Sequence, residues 1–426
     1  MLRRLSITLV LLGALAACGG GTSTPLTASD ASEPAPDAGL REEDAGEAAD
    51  VGVPEPDAGE VADAGAPEDA GIPDDAGEVA DAGTPAEPVD FTAWFASYNA
   101  DQTLDYLNLP ITGAGPDPRY AAAPAHVFHP EVAYGPHPRN VLDVWSQGSA
   151  APAVVFIHGG GFQSGSKEDI HNNVQTIPRY LAAGFTVVSI SYRYTYRDPD
   201  AAVNATNPDD VGSVHDVNGA RLDYVLRDCA RAIQFIRYRA AELNVDPTRI
   251  GAYGGSAGAG CATWTGTVPD LAVPGHPDPV LRQSSRLQAV GHTNGQPTYN
   301  WPRWPDLLRM DPVFVFDNVE HEAVRLTQTP LDALIDTADG QQLSAVMDYY
   351  EQMGPGDPPF LTINLLPDLS EAQITDPSQV IHHPRAHVAL FERCQAAGLE
   401  CSIRTQDRTA GPDREMLGFM TRVLMP

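Results

Sequence analysis

Five residues constrain this chain more than any others: Gly254-Gly255-Ser256-Ala257-Gly258. They follow a short strand pattern, Arg249 to Tyr253, and open an Ala- and Gly-rich helix. The Gly-x-Ser-x-Gly pattern by itself is common in glycine-rich sequence. Its setting between strand and helix is not, because a tight turn there holds a serine clear of the backbone as a nucleophile. Small neighbours relieve the crowding that such a turn creates. An ordinary serine in a glycine-rich turn is the alternative.

The flanking pattern supplies a sheet to carry that turn. Asn140 to Trp145 alternates like a strand, and Ala153 to Ile157 is a continuous, β-branched-rich run that predicts a strand buried on both faces. Ile170 to Ala183 has helical spacing and stops at Gly184, in the place of a C′ glycine. Phe185 to Ser191 is a second buried strand. Asp223 to Leu243 predicts a long amphipathic helix with Leu226, Ala230, Ile233, Ile236 and Ala240 on one face. Pro359 to Leu365 and Cys401 to Thr405 predict further strands, with helices over His383 to Ala397 and Arg414 to Leu424. Strands alternating with helices imply an α/β fold with a mostly parallel central sheet and helices on both faces. Residues 264–350 show only patchy periodicity and read as a lid-like insertion.

A second turn follows the buried strand: His158-Gly159-Gly160-Gly161-Phe162. Consecutive glycines let backbone N–H groups approach a small anion, here the tetrahedral oxyanion of acyl transfer. The N–H groups of Gly160, Gly161 and Ala257 are the expected donors. His158 precedes the turn and reads as an organiser of the loop. A phosphate cradle would need a Lys-Ser/Thr ending that is absent.

With these segments in view, the chain resembles the bacterial esterase/lipase group of the α/β-hydrolase superfamily, close to hormone-sensitive-lipase-like and feruloyl or acetyl esterases. The resemblance rests on Leu142-Asp143-Val144, on Val155 to Phe162, on Ser191-Tyr192-Arg193, on Asp246 to Ile250 and on Gly254 to Gly260. It covers about residues 140–260. It implies an α/β-hydrolase fold and a carboxylic ester hydrolase with Ser256 as nucleophile. Relatives carry a His-Gly-x-x-Asp pattern after the seventh strand; here Pro359 to Asp368 fills that place, which makes Asp368 the expected acid and Asp376 the reserve. The family's histidine belongs after the last strand, but Gln406 to Asp413 holds none and no His follows His387. A serine hydroxyl without a base is a poor nucleophile at neutral pH. Three accounts compete: a base moved to His382 or His383, just after the seventh strand; a weakened site; or a non-catalytic carbohydrate or polymer binder with Trp301 and Trp304 on a sugar-stacking face, against hydrophobic lid packing for the same two residues.

The N-terminus gives an address. Arg3 and Arg4 precede an apolar run, Leu5 to Leu15, that is too short for a permanent span. Leu15-Ala16-Ala17-Cys18 then resembles a bacterial lipoprotein cleavage site, which implies acylation of Cys18 and an outer-membrane or cell-surface location. Residues 19–90 repeat Asp-Ala-Gly at 37, 44, 57, 63, 69, 75 and 81. This composition lacks the apolar residues to offset chain entropy and reads as a disordered acidic tether, a calcium-binding solenoid being the alternative. The first 90 residues carry −17 of the net −31. The remaining −14 argues against nucleic-acid binding, which calls for a basic face. Residues 91–426 then form the catalytic domain, acting on a small-molecule or polymer ester. No cofactor or metal is expected, since there is no H-E-x-x-H pair and the cysteines lack zinc spacing. Cys394 and Cys401 flank a helix-to-strand turn and are the expected disulfide; Cys229 and Cys261 are a second possible pair or buried thiols.

Overall fold

The computed structural model describes residues 89–100, 103–148, 150–195 and 219–426. The leader, Cys18 and the Asp-Ala-Gly repeats lie outside the described residues. The chain divides into Met1–Ala80 and Asp81–Pro426, and all described residues fall in the second unit.

Nine strands form one sheet: β1 (Val127–Ala133), β2 (Val141–Ser146), β3 (Ala151–Ile157), β4 (Thr186–Ile190), β5 (Val245–Gly255), β6 (Ala289–Thr293), β7 (Phe360–Asn364), β8 (Cys401–Thr405) and β9 (Thr409–Ala410). Their order is β1-β2-β4-β3-β5-β6-β7-β8-β9. From β4 to β8 every pair is parallel, while β1, β2 and β9 join antiparallel at the edges. The two apolar runs behave as their composition requires: all of β4 and all but Phe156 of β3 are buried, because helices cover both faces. The chain passes from β3 to β4 on one side and returns to β5 on the other. Beyond their first turns, the connections leaving the C-terminal ends of β3 and β5 therefore run to opposite sides, which opens a crevice at the switch point of an open α/β sheet. This is the α/β architecture expected from sequence.

Some expectations need correction. The helix expected over Ile170 to Ala183 divides into a 3-10 turn, Lys167–Asn172, and α1 (Thr176–Ala182). Pro178 is the reason: with no N–H to give, it fits only the first turn of a helix. The stretch 264–350 is not wholly an insertion, since it contains the interior strand β6. Gly291 and His292 interrupt the apolar run there, so the residues do not read as a buried strand. The helices α2 (Leu222–Tyr238) and α3 (Ala257–Thr267) precede it, and α4 (Pro312–Thr327) and shorter helices to Val346 follow it.

α2 was expected to bury one face, but its polar face is covered as well. Asp223, Arg227, Asp228 and Arg231 are all fully buried. Most of their polar atoms find partners: Asp228 accepts from Arg193 Nε at 2.7 Å and Tyr98 Oη at 2.9 Å, Asp223 accepts from Trp94 Nε1 at 2.8 Å, and Arg231 pairs with Asp278. Removing one partner of such a pair leaves an uncompensated buried charge, which typically costs ~3–5 kcal/mol.

Three imidazoles are also sealed in the interior. Burial pushes His158 down to about 3 and His292 down to about 4, and holds His387 well below the ordinary range. His292 Nδ1 meets Thr263 Oγ1 at 2.8 Å, and His387 Nδ1 meets Thr362 Oγ1. The folded protein keeps all three neutral, while the unfolded chain protonates them below pH ~6.5. Stability is therefore fully present above that pH and is lost as pH falls, by ~1.4 kcal/mol per pH unit for each histidine. We expect the melting temperature to fall steadily from pH 6.5 to 5, and His292→Asn to reduce the slope. A melting temperature flat over that interval would contradict this account.

Candidate active site

The register of β3 on β5 brings the two glycine turns together. Ile157 pairs with Gly254, so both strands end at one level and the turns that follow must meet. They meet closely: a Cβ on Gly258 would lie 2.0 Å from the Ile157 carbonyl oxygen, which only glycine avoids.

Ser256 sits between β5 and α3 with φ 52° and ψ −121°. Positive φ costs a non-glycine residue ~1–3 kcal/mol and persists only where neighbours enforce it. Here Ser256 N donates to Thr293 O at 3.0 Å, and Ser256 O accepts from Ala259 N at 2.9 Å and Gly260 N at 3.2 Å. A trans peptide is planar, with its C=O and N–H pointing opposite ways. The bonds that draw the Ser256 carbonyl into α3 therefore aim the Ala257 N–H out of it.

The same reasoning applies across the crevice. Gly159 O accepts from His158 Nδ1 at 2.7 Å and from Tyr192 Oη at 3.2 Å, which fixes the Gly160 N–H. Gly160 O accepts from Ser164 N at 3.0 Å and Gln163 N at 3.1 Å, which fixes the Gly161 N–H. Gly160 has φ 98°, and a Cβ there would strike Ser164 O. His158 stacks on Tyr192 at 4.1 Å and, neutral at any working pH, donates through Nδ1. It organises the loop, as the sequence suggested. Gly161 and Ala257 line the crevice with Ser256.

His382 is the imidazole beside the serine: Ser256 Oγ and His382 Nε2 are 2.9 Å apart. His382 ends the short helix α5 (Pro377–Ile381), and its Nδ1 lies 2.9 Å from the Ser378 carbonyl oxygen. That carbonyl accepts only, so Nδ1 carries the proton and Nε2 presents its lone pair to the Ser256 hydroxyl. Asn364, at the end of β7, donates through Nδ2 to His382 O at 2.9 Å and ties this histidine to the sheet.

His383 and Asp368 do not join this pair. His383 is buried and caps α6 (Pro384–Ala396): its Nδ1 accepts from Arg385 N at 3.3 Å and its Nε2 meets Leu369 O at 3.0 Å. Burial also lowers its pKa. Asp368 is half exposed and paired with Arg385, 2.9 Å from Nη2. The carboxylate that the resemblance favours is thus paired with an arginine, away from His382. The reserve acid, Asp376, caps α5 by accepting from Ser378 N at 2.7 Å. It stands behind His382 through that helix and makes no bond to the ring. Ser378 and Asn364 escaped the sequence reading because neither is a residue type expected to orient a histidine; the capping box Asp376-Pro377-Ser378-Gln379 was the available signal.

A cavity of about 150 Å³ opens on Ser256 and His382. Phe162, Tyr299, Trp301, Trp304, Leu326 and Ile381 form its apolar wall. Trp301 and Trp304 stack on each other, are each 1% exposed, and so offer no external sugar-stacking face. Cys394 and Cys401 are bonded, whereas Cys229 and Cys261 are buried thiols in contact at 3.0 Å. Among the described residues no cluster suits a metal ion, and no helix is long and apolar enough to cross a membrane.

A mostly parallel sheet carrying a strained serine on the turn after its central strand, with a histidine within hydrogen-bond reach, defines the α/β-hydrolase fold. Residues 142–290 match the family model described as BD-FAE, a segment that holds both glycine turns and Ser256. Similar solved structures include a bifunctional GH43-CE protein of Bacteroides eggerthii (20% identity, TM-score 0.49, 69% of this chain and 38% of that one). Others are a truncated carbohydrate esterase from gut microbiota (18%, TM-score 0.45, 68% and 90%) and esterase Est2 of Thermogutta terrifontis with butyrate bound (22%, TM-score 0.42, 62% and 78%). No curated protein matches the chain.

The orientation of His382 is directly testable. ¹⁵N chemical shifts of its ring should report an Nδ1–H tautomer at pH 8 that Asp368→Asn leaves unchanged. Asp376→Ala, which removes a cap worth ~1 kcal/mol, should mix the two tautomers. A tautomer change on Asp368→Asn would restore the family's acid to its usual role.

Proposed function

We propose that the protein is a serine esterase working with a Ser256–His382 dyad. The observation that carries this reading is the 2.9 Å contact between Ser256 Oγ and His382 Nε2, aimed from a strained turn. His382 Nε2 removes the hydroxyl proton as Oγ attacks the acyl carbon. The carbonyl oxygen becomes an oxyanion held by the N–H groups of Gly160, Gly161 and Ala257. The imidazolium then protonates the leaving alkoxide, and water, activated by the same nitrogen, releases the carboxylic acid from the acyl-enzyme.

In this dyad a helix carbonyl takes the place usually held by a carboxylate. It fixes tautomer and ring orientation but brings a partial charge where a carboxylate brings a whole one, so it stabilises the imidazolium less. The enzyme should be active and slow. The cavity volume, closed by two tryptophans, suits short acyl groups. Acetylated or otherwise acylated carbohydrates, small or polymeric, are the substrate class we infer, in keeping with the esterases among the similar structures.

We further propose that the enzyme acts outside the cytoplasm, held to a membrane through an acylated Cys18 and an acidic tether. The support is the order of basic residues, short apolar run and Ala-Ala-Cys at the N-terminus, together with the Cys394–Cys401 bridge, a bond that persists in oxidising compartments. Metabolic labelling with a radioactive fatty acid should mark the full chain and not Cys18→Ala; an unlabelled wild type would remove the anchor.

For the reaction, residues 91–426 should hydrolyse p-nitrophenyl acetate faster than longer-chain esters. Ser256→Ala and His382→Ala should each lower kcat by ~10²–10⁴, leaving the oxyanion hole's residual rate, while His383→Ala should act through stability alone. Turnover equal in wild type and Ser256→Ala would sink the reading and favour a binding protein on a hydrolase scaffold.

A further inference from the structure

We propose that Arg325, on α4 of the insertion, is a positioning residue for the oxyanion turn. The inference rests on the esterase reading of Ser256 and adds a part that neither glycine turn contains.

Three carbonyls define the path of the glycine turn: those of Gly159, Gly160 and Gly161. The first two are held by His158, Gln163 and Ser164 of the turn and by Tyr192 after β4. Among the described residues the third is held by Arg325 alone, whose Nη2 donates to Gly161 O at 2.7 Å. Gly161 has φ 58° and no side chain to restrict it, so this carbonyl is the loose end of the turn. The same guanidinium donates through Nη1 to Thr195 Oγ1 at 3.0 Å. Thr195 in turn donates to Phe162 O through N at 2.8 Å and Oγ1 at 3.2 Å. One planar fork thus fixes two successive carbonyls immediately after the oxyanion donors.

The fork is itself held firmly. Arg325 is 7% exposed. Glu322, one turn back on α4, accepts from its Nε at 3.2 Å and its Nη2 at 2.7 Å, which balances its charge and sets the plane of the guanidinium. A lysine in this place would be a point charge without the fork geometry and could not bridge both acceptors. Glu322 also lines the crevice, so the pair sits at the wall of the site. The insertion is therefore more than a cover. It anchors the chain just past the Gly161 donor, so the oxyanion turn is fixed at both ends when α4 is docked.

Alignment of a hole donor matters to the transition state more than to bound substrate, so the loss should fall on kcat. Misplacing a catalytic donor by about 1 Å costs of order 10²-fold. We expect Arg325→Met to lower kcat for p-nitrophenyl acetate by ~10–100-fold with KM within about twofold, and Arg325→Lys to lie between it and wild type. Millimolar guanidinium chloride should restore part of the rate of Arg325→Ala and leave wild type unaffected. Far-UV circular dichroism and the melting temperature would establish that each variant is folded.

Unchanged kcat in folded Arg325→Met, a loss confined to KM, or a loss that guanidinium does not reverse would overturn the role. If Arg325→Met fails to fold, Arg325→Lys and Thr195→Val decide by the same kcat criterion. An active wild type with indifferent Arg325 variants overturns this proposal alone. A wild type with no Ser256-dependent turnover overturns the esterase reading and this role with it.

Discussion

Everything at the site depends on two parallel strands ending at the same level. Because Ile157 lies opposite Gly254, the turn after β3 and the turn after β5 arrive together at the edge of the sheet. A shift of one residue would reverse which side chains face each helical layer and would part the glycines from the serine. The register is held by the apolar faces of β3 and β5, so the chemistry is supported by burial far from the reacting atoms. The strain at Ser256 is carried by the same framework, through its bonds to β6 and to the first turn of α3.

In the proposed dyad the base has moved along the chain without leaving its place in space. In the usual order the histidine follows the last strand. Here the imidazole comes from the loop after β7, one strand closer to the nucleophile, and is presented by a five-residue helix. The geometry of that helix does two jobs. Ser378 O accepts both the His382 amide, which closes the helical turn, and the His382 ring, which sets the tautomer. A carbonyl has two lone pairs, and a helix end leaves one free. No carboxylate is needed to orient the ring, and Asp368 is free to pair with Arg385.

Buried charge is the other recurring device. Arg193 with Asp228 and Arg231 with Asp278 each tie a segment of irregular chain to a helix. Such pairs contribute little net stability, but they reject alternative arrangements in which one partner is left unpaired. That suits a domain in which long segments without strands must settle in one place over the crevice.

The sequence by itself determined the alternation of strands and helices from 140 to 260, the serine turn, the glycine turn and the Cys394–Cys401 bridge. These are local: each is written in contiguous residues whose period or conformational freedom admits few alternatives. It also narrowed the base to two adjacent histidines. Only the tertiary structure separated them: His382, at the end of α5, faces the serine, while His383, in extended backbone before α6, is turned into the core. It alone disclosed β6, whose glycine and histidine hide a buried strand, and the role of Ser378, since a backbone carbonyl is present at every residue and carries no sequence signal. The anchoring of Gly161 by Arg325 spans 164 positions. Contacts of that range arise from packing, and no local pattern records them.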